Sequence, residues 1–163
     1  MCGSYLRVTN DQLEQVLNEP DLILDMLFPE DDTEFEAGRY LDIDKSWQII
    51  HFLLTGDALD GDEPLCNAVM GGTEIGDVEV VYGPARFLLP EQVVEVATAL
   101  TSISEDELWN RFDIEAARKA EIYPQGWTGS ETDRSYVLNH FKCLKTYFVD
   151  AANAQEPVIL YLS

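Results

Sequence analysis

The sequence predicts an α+β fold: a single domain in which a small mixed sheet is packed with several helices. Three observations predict it. Strand-like and helix-like patterns follow one another as strand, helices, strand, helices, strand, without the regular alternation of a parallel α/β protein. The chain has 163 residues, 46% of them hydrophobic, which suits one domain with a substantial core. No internal repeat, low-complexity linker or break in composition divides it.

The elements follow in order. Gly3 to Val8 has strand character, and Thr9 with Gln12 forms a capping box that opens a helix carrying Leu13, Val16 and Leu17 on one side. Pro20 suits a first helical turn, and Leu22, Ile23, Met26 and Leu27 give a second short apolar helix. Pro29 to Gly38 is an acidic loop, since like charges at that density favour an exposed segment. Asp44 is placed to cap a helix over Lys45–Thr55, and Gly56 to stop it. A second acidic loop, Asp57 to Glu63, precedes a short helix opened by Pro64 and carrying Leu65, Ala68 and Val69. Val78 to Tyr82 reads as a strand before a turn at Gly83-Pro84.

Pro90 begins an amphipathic helix with Val93, Val94, Ala97 and Leu100 at three- and four-residue spacing. Ser104 and Glu107 make another capping box, and Asp113 caps a further short helix. The irregular Tyr123-Pro-Gln-Gly-Trp127 follows; its aromatics suit either a packed turn or an exposed contact. The longest helix runs from about Glu131 to Ala152, with Val137, Phe141, Leu144 and Phe148 on its core stripe, and Val158 to Leu162 is a strand apolar enough to be buried on both faces.

Charge narrows the function. The chain holds 31 Asp+Glu against 10 Lys+Arg, a net charge of −21. A field this negative repels phosphate backbones, so nucleic-acid binding is not expected. A basic protein is instead steered toward residues 1–64, where the acids concentrate. Asp31, Asp32, Glu34, Asp60 and Asp62, in the two acidic loops, are the candidate partner contacts. The alternative is that these carboxylates serve only solubility. The longest uncharged apolar stretches, Trp47 to Leu54 and Phe87 to Pro90, fall short of the ~20 residues that cross a bilayer. With no signal-peptide pattern at the start, a cytoplasmic protein is expected, a monomer or weak oligomer without membrane contact.

Cys2, Cys66 and Cys143 stand at unrelated spacings with His51 and His140, so no metal or cofactor is expected and the thiols are read as reduced and mostly buried. Gly72 to Gly76 lacks the spacing of a phosphate or dinucleotide loop, and no Gly-x-Ser-x-Gly elbow occurs. Asp57, Asp60, Asp62 and Glu63 lack the ligand order of an EF-hand.

The run Leu41-Asp-Ile-Asp44-Lys-Ser-Trp47, continued by His51-Phe-Leu-Leu-Thr-Gly56, resembles the YfbM-like family of small bacterial proteins of unknown function. The similarity extends through Pro64-Leu65, Ala68-Val69 and Gly71, Tyr82-Gly-Pro-Ala-Arg86, Ile122-Tyr-Pro124, and the closing helix and strand. The resemblance covers nearly the whole chain. It implies a single α+β domain and brings no activity, cofactor or catalytic residue.

In a helix, Asp44, Trp47, His51 and Thr55 share one narrow face, and Trp47 can meet His51 one turn on. Such a line of polar and aromatic groups can wall a small-molecule pocket, with His51 as its proton donor or acceptor. Nearby carboxylates are expected to raise the His51 pKa, with Asp42 and Asp44 as partners and Arg86 as an anion clamp. The same residues also fit a helix cap, a buried helix face and a hydrogen-bonded core histidine. The expectation is therefore an acidic module for a basic protein, inhibitor- or immunity-like, with a small-molecule binder or enzyme around Trp47 and His51 as the alternative; no catalytic residue is assigned.

Overall fold

Two strands, Gly3–Arg7 and Val158–Leu162, are buried on both faces, and helices pack on both sides of the sheet they form with three further strands. The computed structural model describes residues 1–30 and 34–163. The strands are β1 (Gly3–Arg7), β2 (Tyr40–Asp42), β3 (Thr73–Glu79), β4 (Pro84–Leu88) and β5 (Val158–Leu162), in the order β2-β1-β5-β4-β3. Every described pairing is antiparallel, which corrects the expectation of a mixed sheet. The reason is topological. β1 and β4 run the same way, but β5 lies between them, antiparallel to each.

The helices are α1 (Asn10–Asn18), α2 (Leu22–Leu27), α3 (Trp47–Thr55), α4 (Pro90–Thr101), α5 (Glu105–Trp109), α6 (Ile114–Lys119) and α7 (Glu131–Asn153). Two 3-10 turns, Asp44–Ser46 and Leu65–Ala68, flank α3 and its loop. The expected caps form. Thr9 Oγ1 accepts from the Gln12 amide at 3.1 Å while Gln12 Oε1 accepts from the Thr9 amide at 2.8 Å. Ser104 and Glu107 repeat that box, and Asp113 accepts from the Ala116 amide at 2.9 Å. Caps of this kind stabilise by about 1 kcal/mol each. Gly56 ends α3 at φ +81°, its amide donating to the Phe52 carbonyl at 2.8 Å.

Other expectations shift. Asp44 caps nothing: it begins the 3-10 turn at φ +49°, and α3 starts only at Trp47. The strand expected over Val78–Tyr82 is the end of a hairpin, β3 to β4, in which the Val80 amide donates to the Gly83 carbonyl at 2.8 Å and Pro84 already belongs to β4. Leu17 and Val94 are exposed at 42% and 46%; the buried partner on α4 is Val96. The three cysteines are unpaired, but Cys143 is exposed and the other two only half-buried.

Alternation along the strands divides the interior in two. On β5, Val158 and Leu160 face one core while Ile159 and Tyr161 face the other; on β4, Leu88 faces the first and Ala85 with Phe87 the second. The larger core gathers α3, α4, α6 and α7, with Tyr5, Phe141 and Phe148 at its centre. The smaller one is roofed by α1 and α2 through Leu13, Val16, Ile23 and Leu27. A Cβ at Gly3 would lie 2.7 Å from Trp47 Cβ and 3.0 Å from Ile43 Cγ1, so β1 approaches the start of α3 more closely than a side chain allows. Gly3→Ala is expected to destabilise by about 1–3 kcal/mol, read as a lower urea midpoint at unchanged slope.

Candidate functional site

The five residues expected to share a pocket are each engaged with protein. Trp47 is 3% exposed; its Nε1 donates to the Met1 carbonyl at 3.3 Å, and its ring stacks on Tyr123 with centroids 6.0 Å apart. The Tyr123–Trp127 segment is thus a packed turn, with Trp127 also lying against Tyr136 at 6.2 Å. Asp42 is exposed and its Oδ1 accepts from the Asp44 amide at 2.6 Å, which holds Asp44 in its left-handed backbone conformation. The Asp44 carboxylate accepts from Tyr136 Oη at 2.9 Å and from the Cys2 thiol at 3.4 Å. Burial pushes its pKa up, but the hydrogen bonds from Tyr136 and Cys2 outweigh this and hold it below the usual value. Asp42 and Asp44 therefore partner the backbone, Tyr136 and Cys2.

His51 is fully buried in the helical layer. Its Nε2 lies 2.9 Å from the Asp60 carbonyl oxygen, an acceptor, so the proton of the neutral ring sits on Nε2. Among the described residues the buried Nδ1 has no hydrogen-bond partner. Burial lowers the His51 pKa and overrides the opposing pull of the Asp60 carbonyl and the Asp57 charge, the reverse of the expected direction. Below the unfolded value of ~6.5 the unfolded chain binds more protons than the folded one, so stability rises with pH through that window and is lost as pH falls. The urea midpoint is expected to drop between about pH 7.5 and about pH 5.5, and His51→Gln, which keeps a donor for Asp60, to flatten that dependence.

Arg86 is a clamp, but on backbone rather than on an anion. Its guanidinium donates to the carbonyls of Val69, Met70 and Gly71, with Nη2 to Val69 at 3.2 Å and Nη1 to Gly71 at 3.1 Å. These carbonyls follow the Leu65–Ala68 turn, whose own Ala68 carbonyl accepts from Tyr5 Oη at 2.8 Å. Five surface clefts of about 330 to 470 Å³ are lined by residues other than these five. The largest lies between α6 and the following turn, with Ile122 and Trp127 among its walls.

The acidic candidates separate across the sheet. Asp60 and Asp62 are exposed in the loop after α3, which is ordered by Asp57 Oδ1 accepting from the Leu59 and Asp60 amides at 3.0 and 2.9 Å and packs through Ala58 on the larger core. Glu34 is exposed beside Phe35, which packs on the smaller core. Asp31 and Asp32 lie outside the described residues. Glu34 and the Asp60–Asp62 pair thus belong to opposite layers and do not form one face.

One layer, however, is acidic throughout. Between Arg7 and Arg39 the chain has ten carboxylates, from Asp11 to Glu36, and no lysine or arginine. Eight of the ten are described, and all eight are exposed. The described part of this stretch is α1, α2 and their flanks, the cover of the smaller core. The two bounding cations are matched by Glu156, which accepts from Arg7 Nε at 3.2 Å and from Arg39 Nη1 and Nη2 at 3.1 Å each; Glu36 also holds Arg39. The signal was present in the sequence as the base-free interval, which totals over halves of the chain conceal.

Among the described residues no helix is long and apolar enough to cross a membrane, and no group of three or more His, Cys, Asp or Glu side chains is placed to hold a metal ion. The family described as "Domain of unknown function (DUF1877)" matches residues 1–161. Protein YfbM of Escherichia coli K12 is 31% identical over 135 residues, spanning 80% of this chain and 77% of that protein. A crystal structure titled as a protein of unknown function, YfbM from Escherichia coli, superposes with a TM-score of 0.73 at 26% identity over 98% of each chain. With the Asp42–Gly56 run, the closing helix and strand and the whole antiparallel sheet accounted for, this chain belongs to the DUF1877 family of YfbM-like proteins.

Proposed function

We propose that this chain is an acidic protein-binding module, inhibitor- or immunity-like, that captures a basic partner protein through the α1–α2 layer. The observation that carries the reading is the uninterrupted run of ten carboxylates between two arginines, both of which are already paired, Arg7 with Glu156 and Arg39 with Glu156 and Glu36. Exposed carboxylates on one layer raise the local concentration of a cationic partner and speed its encounter, an effect that salt screens. The same field opposes nucleic acid. The module is proposed as a cytoplasmic monomer or weak oligomer, a reading supported by three unpaired thiols, which suit a reducing compartment.

The test is capture from host lysate at low and at moderate salt. Wild type is compared with Glu14→Gln/Asp21→Asn/Asp25→Asn/Glu34→Gln and with a charge-matched control, Glu91→Gln/Glu95→Gln/Glu107→Gln/Glu115→Gln, on the opposite layer. A basic protein retained at low salt is expected to fall about tenfold or more with the first variant and to persist with the control. Equal loss from both variants, or from neither, would refute the reading.

A further inference from the structure

The helix α2 is apolar on three sides. Ile23 and Leu27 are buried against the sheet at 0% and 3% exposure. Leu22 and Met26, one turn apart, line a groove of about 390 Å³ whose other apolar walls include Val8 and Phe35. Leu24 and Phe28, also one turn apart, stand exposed at 40% and 45%. Only Asp21 and Asp25 interrupt this surface. Leu22 and Met26 are only partly buried against the smaller core and Phe28 meets Tyr161 by an edge alone, so among the described residues two of the three apolar sides are incompletely covered.

What fits them is set by charge. The charged walls of the groove are Asp25, Arg7 and Arg39, and both arginines are already paired with Glu156, Arg39 also with Glu36. The charge left to a partner is that of Asp21, Asp25 and the exposed carboxylates of the surrounding layer. It opposes an acidic surface, and a second copy of this chain brings a further −21. We propose that α2 and its groove receive a lysine- or arginine-rich segment of another protein that carries apolar side chains at helical spacing, the apolar groups seating along Leu22, Met26, Leu24 and Phe28 and the cations meeting Asp21 and Asp25. The proposal rests on the acidic-layer reading above and adds the anchor: part of the affinity is apolar and survives salt.

The experiment uses the full chain and two labelled synthetic peptides of equal charge, one of leucine and lysine at amphipathic helical spacing, the other with glutamine in place of leucine, followed by fluorescence anisotropy. The amphipathic peptide is expected to bind wild type about tenfold more tightly than the polar one at moderate salt. Leu24→Gln/Phe28→Gln is expected to remove that advantage, and Val94→Gln, an exposed apolar site on the opposite layer, to keep it. Because Phe28 packs edge-on against Tyr161 at 6.0 Å, Leu17→Gln/Leu24→Gln serves as a second variant if the first is misfolded by circular dichroism. Equal binding of the two peptides, or an advantage untouched by either variant, overturns the anchor. If that binding is still weakened by Asp21→Asn/Asp25→Asn, the acidic-layer reading stands without the anchor; if neutralisation changes neither peptide, the acidic-layer reading fails as well. Self-association of wild type that the Leu24/Phe28 variant abolishes makes the occupant a second copy and likewise overturns the proposal.

Discussion

Arg86→Leu is expected to lower stability by about 3–5 kcal/mol. The Arg86 guanidinium is the donor to three successive backbone carbonyls, Val69, Met70 and Gly71, behind the Leu65–Ala68 turn. Their own amides point back to Cys66, whose carbonyl accepts from Val69, Met70 and Gly71 at 3.3, 3.0 and 2.8 Å. The turn therefore ends in carbonyls with one cation to satisfy them, as at the end of a helix. Leucine fills similar volume but leaves those oxygens desolvated and unpaired. Arg86→Lys is expected to recover only part of the loss, since a compact ammonium lacks the planar fork that reaches three acceptors. Tyr5→Phe, which removes the bond to the Ala68 carbonyl at 2.8 Å, is expected to cost about 1–2 kcal/mol. Chemical denaturation checks all three, and a loss below about 1 kcal/mol for Arg86→Leu would show that the guanidinium is not the main support of this turn.

Arg86 also shows where a sequence stops being legible. A lone arginine after Gly83-Pro84 is compatible with binding an anion, and only the tertiary path of residues 65–71 reveals that its acceptors are backbone oxygens. Asp44 failed as a helix cap for a related reason. Capping was inferred from its position before Lys45, but Asp42 accepts its amide and Tyr136, 92 residues on, takes its carboxylate. His51 was read with a raised pKa because the sequence around it is acidic; charge is visible in a sequence, whereas complete burial is a property of the packed helix. Other local chemistry was legible. The boxes at Thr9 and Ser104, the Asp113 cap and the Gly56 stop each depend on side chains within a few residues. β2 and β4 were missed because a three-residue strand and one opened by proline carry almost no periodic signal.

The long-range core was foreseen where periodicity was long, and Phe148→Ala tests that part. Val137, Phe141, Leu144 and Phe148 were placed on one stripe of α7, and all four are 0% exposed. Phe148 meets Tyr5 of β1 edge-on at 6.1 Å and Tyr147 at 6.1 Å, so it joins the longest helix to the centre of the sheet. Truncation removes a whole ring from a site walled by a strand and a helix that cannot close over the void. A loss of about 3–5 kcal/mol is expected, with a fall in Tm of roughly 10 °C for a chain of this size. Leu24→Ala is expected to change stability by less than about 0.5 kcal/mol, because its side chain is 40% exposed on the outer side of α2. The contrast matters for function. If Phe148→Ala is costly and Leu24→Ala is neutral, the Leu24 side chain is not needed by the fold and is left free for the partner proposed to cover it. A loss above about 1.5 kcal/mol for Leu24→Ala would return that side chain to the core and withdraw it from the docking surface.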